Sequence, residues 1–186
     1  TANINSLSAR LSAKTFTFPA AKGVPISKKD AKGQIIPGKV RPIVLASVES
    51  RIVQRSILEA LVSVEALQPY FKNPNSFGGI KKDADSPLAS VPAAIQQVLK
   101  ARAGGGKFVL YADISSVFTR IPKSQILKIV GDAVQDKAFM VLFEQAITTE
   151  LSNMAELREV ADKFPIGDIG VAQGNSLSPL MGNIIL

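Results

Sequence analysis

The chain contains no cysteine and no histidine. Without thiols it can form neither a disulfide nor a thiolate metal site. Without imidazole it has no Ser-His-Asp relay and no His-ligated zinc. A metal held by these residues must be a hard cation on oxygen ligands, Mg²⁺ or Mn²⁺ first. Tryptophan is missing too, and aromatic residues make up only 6% of the 186. No apolar run reaches the roughly 18 residues of a membrane-crossing helix. The N-terminus shows no signal-peptide pattern. The expectation is a cytoplasmic protein with no membrane association.

Acidic residues are the scarcer charge. There are 15 Asp and Glu against 22 Lys and Arg, a net charge of +7. Such an excess favours a polyanionic partner, nucleic acid first. A soluble protein of modestly basic composition accounts for the number equally well. Hydrophobic residues reach 46%, which is enough for a real core. The length suggests one domain or two small lobes.

The pattern along the chain predicts a mixed α and β order. Residues 4–14 read as a short helix. Residues 15–18 alternate like a strand and stop at Pro19. Residues 24–27 and 39–46 read as two strands joined by the basic, glycine-containing turn 28–39. In residues 47–67, Val53, Ile57, Leu61 and Val64 recur at helical spacing behind a Ser47 cap. Arg55 and Glu59 form an i,i+4 pair on another face.

The stretch 69–87 is rich in turn residues and predicts loop, with Lys81, Lys82, Asp83 and Asp85 solvated. A helix over 91–103 ends at Gly104-Gly105-Gly106. Residues 107–114 then read as a buried strand. Pro122 suits the first position of a helix running to about residue 130. Further helices are expected over 137–151 and 176–186, with loop over 167–174.

Asp113 stands at the end of the apolar run FVLYADI. An isolated ionised carboxylate there needs donors, a cation or a metal. It reads either as a capped aspartate at a strand-to-helix turn or as a metal ligand. The wider pattern bears on that choice. KVRPI, SRIVQ, SFGGI, YADISSVF and VAQGNSLSPLMGNIIL, taken in order, resemble the signature blocks of reverse transcriptases. The flavour is bacterial, of the retron, group II intron and phage-defence types. The blocks cover nearly the whole chain. The last two carry most of the specificity.

The resemblance implies an α+β right-hand polymerase fold: fingers over residues 1–90 and 122–168, and an incomplete palm with a small antiparallel sheet over 91–121 and 169–186. It implies RNA-templated DNA synthesis with an RNA template, a DNA or RNA primer and dNTPs. An associated non-coding RNA is a further partner of such enzymes. By position, Asp113 would be the first metal-binding carboxylate, and the Ile114 carbonyl would also reach the metal. Phe118 would be the gate against a 2′-hydroxyl. Gln173 and Gly174 would lie against the incoming nucleotide and template. Lys39 and Arg41 would reach the triphosphate. Ser116 carries no charge, so help to the triphosphate there would come from backbone amides. Arg51 and Gln54 match a nucleic-acid-binding block whose usual leading aspartate is Ser50 here.

The chemistry of the residues is compatible with this. Nucleotidyl transfer is mostly positioning and charge neutralisation. Two Mg²⁺ ions about 3.5–4 Å apart serve it without His or Cys. Arginine clamps phosphate in bidentate fashion, and lysine does so as a point charge. Lys28 and Lys29 in the basic turn suit a phosphate backbone. For each residue a plainer role stands beside this one: Phe118 as core, Lys39 and Arg41 as a solvated strand face.

The sequence also departs from the family. No Asp-Asp pair occurs in it, so the second carboxylate block of the family's metal site is not here, and neither is the helical thumb. The expectation is a portion of a longer protein, inactive alone. The alternatives are a non-catalytic RNA-binding module that keeps the fold, an intron maturase, and a viral-type RNA-dependent RNA polymerase.

Overall fold

The computed structural model describes residues 2–78 and 90–186. Lys81, Lys82, Asp83 and Asp85 lie outside the described residues.

The chain opens with helix α1, Ala2–Ser12. Its Leu7 is buried in the main core. Arg10 near its end sits 5.4 Å from the Phe16 ring centroid and pairs with Glu49 at 2.7 Å. Both side chains of that pair are more than a third exposed, so it adds at most about 1 kcal/mol. Residues 15–18 form no ladder, contrary to the strand expected there. Phe16 and Phe18 meet edge to face at 5.0 Å instead. Aromatic packing fixes this segment rather than backbone pairing.

Strands β1, Lys22–Lys29, and β2, Ile35–Leu45, form an antiparallel hairpin. Its turn is closed by Asp30, whose carboxylate accepts from the amides of Lys32 and Gln34. Gly33 supplies the positive φ the turn needs. At its base the hairpin is fixed on both edges. On the β1 side, Ala21 N donates to Glu150 O at 2.8 Å and Ser152 N to Ala21 O at 2.9 Å. Asn153 bonds the amide and the carbonyl of Gly23. A side chain at residue 23 would meet Leu157 Cδ1 at 2.8 Å, so the Leu157 side chain would have to shift to admit one. A small cluster of Ala21, Val44, Leu157, Phe164 and Ala172 seals the base.

Helix α2, Val48–Val62, begins at Ser47, whose hydroxyl accepts from Ser50 N. It buries Ser50, Val53, Gln54, Ile57, Leu58 and Leu61, which is one face at helical spacing. Helix α3, Gln68–Phe71, is a single turn. Helices α5, Lys123–Val134, and α6, Lys137–Ile147, close over the stripe. Asp136 caps α6 by accepting from Ala138 N and Phe139 N. Pro122 sits at the cap position of α5, one place before the position expected of it. A short helix α7, Met154–Leu157, had no signal in the sequence. Helix α8, Ser178–Ile185, runs through the interior. Leu61, Ile126, Phe143, Leu177 and Leu180 are fully buried in this core. Each contributes about 1.5–3 kcal/mol of apolar burial.

One expectation fails clearly. Helix α4, Ser90–Ala103, buries none of its residues. The run 107–114 after it is not a strand, and Phe108 and Leu110 are 96% and 94% exposed. Apolar composition marks a segment that can be buried. A ladder also needs a neighbouring edge whose N–H and C=O groups are free. The sheet of the described residues is β1–β2, and it does not include this run.

Candidate functional site

The candidate residues fall into one assembled group and one detached group. The assembled group is built on β2. Successive residues of a strand face opposite sides. Pro42 and Val44 are buried while Lys39 and Arg41 are exposed, so the two cations stand on the solvent face. Ile26 is paired with Arg41 across the hairpin and is itself 50% exposed. Lys28 and Lys29 lie at the register shift of β1 near the turn.

Residues 22–45 hold six cations (Lys22, Lys28, Lys29, Lys32, Lys39 and Arg41) against Asp30 alone, a net +5 of the chain's +7. The carboxylate of Asp30 is engaged in the turn. The ion pairs among the described residues are Arg10–Glu49 and Arg55–Glu59, so the hairpin cations have no carboxylate partner.

Gln173 and Gly174 pack beside the same strand. Gln173 bridges Ile43 in parallel fashion, and the Val44 amide donates to the Gln173 carbonyl at 2.9 Å. Gly174 has φ +111, and a Cβ there would lie 2.9 Å from Val44 O. Backbone contact with β2 therefore requires glycine at 174.

The same segment reaches Phe118. Val171 N donates to Phe118 O and Gly170 N to Ile121 O, both at 2.7 Å. Phe118 is half-buried, with its Cε1 only 3.8 Å from where a Cβ on Gly182 of α8 would be. Ser116 precedes it in left-handed backbone, φ 58 and ψ 36. Residues 169–174 thus act as a splint. One side is bonded to the basic hairpin and the other to the turn that carries Phe118.

The detached group is Asp113 and Ile114. Both are exposed, at the end of the unpaired run 107–114. No group of three residues able to hold a metal forms among the described residues. Asp113 supplies one carboxylate and Ile114 one carbonyl. These are the hard oxygen donors Mg²⁺ accepts, but one carboxylate does not make a two-ion site.

Arg51 is exposed on the first turns of α2, as a surface contact requires. Gln54 is not on the surface. It is 6% exposed, and its Nε2 donates to Ala146 O at 3.3 Å. Its place on the apolar stripe of α2 explains this.

Several polar residues that hold the site together lie in the last signature block, where the resemblance assigns them no role. Asn175 Nδ2 donates to Ala146 O at 2.8 Å, and Asn175 Oδ1 accepts from Leu177 N at 2.9 Å. The Ser178 hydroxyl, at the start of α8, donates to Ala172 O at 2.6 Å. Asn183 Nδ2 donates to Tyr70 O at 3.2 Å, tying α8 to α3.

Lys123 is 7% exposed. Its ammonium donates to Gly167 O at 2.6 Å and to Pro165 O at 3.5 Å. Burial pushes this amine below the ordinary lysine range, while the Asp168 charge acts in the opposite direction. Lys123 anchors the start of the splint.

The chain is 29% identical over 153 residues to protein YkfC of Escherichia coli (strain K12), covering 80% of the chain and 36% of that protein. It is 25% identical over 186 residues to the uncharacterized 91 kDa protein in cob intron of Schizosaccharomyces pombe, covering 98% of the chain and 20% of that protein. The chain therefore spans about a third and a fifth of the lengths of these two relatives. No protein-family model matches it. Among the described residues no helix is long and apolar enough to cross a membrane.

Proposed function

We propose that the chain is the fingers and the first palm blocks of a reverse transcriptase, acting in RNA-templated DNA synthesis. The observation that carries this is the splint 169–174, which places Gln173 and Gly174 beside the strand of Lys39 and Arg41 and within two bonded steps of Phe118. These are the positions a polymerase would use for template, triphosphate and sugar. The local chemistry supports the same reading. The hairpin offers unpaired cations for phosphate, and the half-buried ring of Phe118 offers a wall for a ribose.

In this proposal Arg41 and Lys39 neutralise the triphosphate, Phe118 excludes the 2′-hydroxyl, and Gln173 and Gly174 seat the templating pair. Arg51 contacts nucleic acid from α2. Asp113 and the Ile114 carbonyl hold Mg²⁺, which when bound would activate the primer hydroxyl and stabilise the leaving pyrophosphate. The remaining carboxylates of a two-ion site are not among the described residues. Similarity to an intron-encoded protein makes an intron maturase the preferred biological setting over a retron or a defence system.

A second reading is an RNA-binding module without chemistry. It is favoured by the lone, exposed Asp113 and by a hairpin that carries most of the net charge. Primer extension on an RNA template separates the two. The full-length protein should extend a primer with dNTPs and Mg²⁺, and Asp113→Asn should abolish extension while RNA affinity is unchanged. Extension that survives Asp113→Asn sinks the metal assignment. RNA binding without any extension by the parent protein favours the module.

A further inference from the structure

Strand β2 carries more residues than the strand it pairs with. Ser27 lies opposite Val40, and Lys29 lies opposite Ile35. Residues 36–39 of β2 therefore stand against Lys28 alone, four residues against one. Such a bulge bends its strand and re-aims the side chains beside it. Pro37 has no N–H to give to the ladder. Gly38 takes φ +69 with open space around it, so glycine serves the backbone conformation of the bulge.

The bulge is held from behind. Lys163 ends the 3₁₀ helix Arg158–Lys163, and its ammonium donates to the Gly38 carbonyl at 2.8 Å. The next residue, Phe164, is buried and packs with Val44 in the cluster at the hairpin base. Val44 and Arg41 are three positions apart on one strand, so they face opposite sides. Lys163 thus rises from the anchored face of the hairpin, while Lys39 and Arg41 project from the other. Lys163 is in no ion pair, although Glu159 lies four positions before it. Its charge is committed to a neutral carbonyl beside a hairpin that is already strongly positive. Like charges repel, so the contact is explained by what it holds and not by the charge around it.

What it holds is the peptide that joins Gly38 to Lys39. Glycine alone leaves the plane of that peptide free. The bond from Lys163 fixes the plane, and with it the direction in which Lys39 leaves the backbone. Arg41 follows two residues later on the same face. We propose that Lys163 is a positioning residue for the triphosphate of a nucleotide. It touches no phosphate; it acts through Gly38 to aim Lys39, and with Lys39 the pair that meets the triphosphate. This rests on the assignment of Lys39 and Arg41 to the triphosphate.

The test is calorimetric titration of the full-length protein with inorganic tripolyphosphate at constant ionic strength. It compares the parent, Lys163→Met, Lys163→Arg, Lys39→Ala and the double variant Lys163→Met with Lys39→Ala. The parent should bind saturably. Lys163→Met should bind about three- to tenfold more weakly, as for the loss of one hydrogen bond. Lys163→Arg keeps a donor and should recover most of that loss. Because Lys163 acts through Lys39, the double variant should bind no more weakly than Lys39→Ala alone. An effect of charge alone would instead add to that of Lys39→Ala and fade as salt is raised.

Lys163 is partly exposed, and its variants should unfold at the urea midpoint of the parent. If Lys163→Met does not fold, Gly38→Ala carries the test from the other end of the bond. It strains the backbone at φ +69 without crowding a neighbour, and it should weaken tripolyphosphate binding likewise. Unchanged affinity in Lys163→Met, additive losses in the double variant, or no saturable binding by the parent each overturns the assignment. Primer extension by the parent, measured in parallel, judges the polymerase reading separately. Tripolyphosphate binding with these losses but no extension removes that reading and leaves Lys163 positioning a phosphate site.

Discussion

The Val44 amide donates to the Gln173 carbonyl at 2.9 Å, and Gly174 next to it lies so close to Val44 that a Cβ would stand 2.9 Å from the Val44 carbonyl oxygen. This contact joins the basic hairpin to the loop before α8. It rests on backbone atoms alone, so it survives most changes of side chain but not the addition of one at residue 174.

Gly174→Ala is therefore expected to destabilise the fold. The residue sits at φ +111, where a side chain costs on the order of 1–3 kcal/mol, and the steric contact adds to that. Urea unfolding should show a lower midpoint at unchanged slope. An unchanged midpoint would mean that the splint is not in contact with β2.

Lys28 and Lys29 supply a prediction about ionic strength. Each phosphate contact to a single strand contributes about 0.7 to the slope of log affinity against log salt. Replacing both with alanine should lower the slope for single-stranded RNA by about 1.4 and weaken binding alike for all sequences. A loss of affinity with unchanged slope would argue against phosphate contact. The substitutions should leave the hairpin intact, because its turn is held by Asp30.

Lys123 gives stability a dependence on pH. Burial lowers its native pKa below the ordinary lysine value of 10.5. Below the lowered native value the amine is charged in both states, and the burial penalty opposes folding. Between the lowered native value and 10.5 the unfolded chain binds more protons, so stability rises with pH there. The stability difference between the parent and Lys123→Met should move in favour of the parent as pH rises into that window. Paired urea midpoints at neutral and alkaline pH measure this; a parallel pair of pH profiles would contradict the burial argument.

Local pattern made some of the fold legible. The Ser47 cap and the spacing of Val53, Ile57 and Leu61 mark α2; the turn expected over residues 28–39 exists but is only residues 30–34, because both strands run on into that basic stretch. The same stripe would have placed Gln54 inside, since it stands one position from Val53 and three from Ile57. What stayed hidden depends on partners remote in sequence. Asn153 bonds Gly23 across 130 positions, and Lys123 bonds Gly167 across 44. No window along the chain contains either pair. The run 107–114 misled for a related reason: its composition is that of a buried strand, and pairing depends on an edge that composition does not report.

Phe118 and Asp113 differ in what each substitution should do to the fold, and this lets function be separated from stability. Phe118 is half-buried against α8 at Gly182. Phe118→Ala removes that packing and should lower stability by somewhat less than the roughly 3–5 kcal/mol of a fully buried ring. If it is the sugar gate, the same change should raise the use of rNTPs relative to dNTPs in primer extension. Asp113 is exposed, and its removal should shift stability by no more than about 0.5 kcal/mol. Asp113→Asn should nevertheless abolish extension in the full-length protein. A stable, inactive Asp113→Asn beside a less stable, less discriminating Phe118→Ala supports both roles. Unchanged sugar discrimination in Phe118→Ala would reduce Phe118 to a packing residue, with Asp113 judged on its own result.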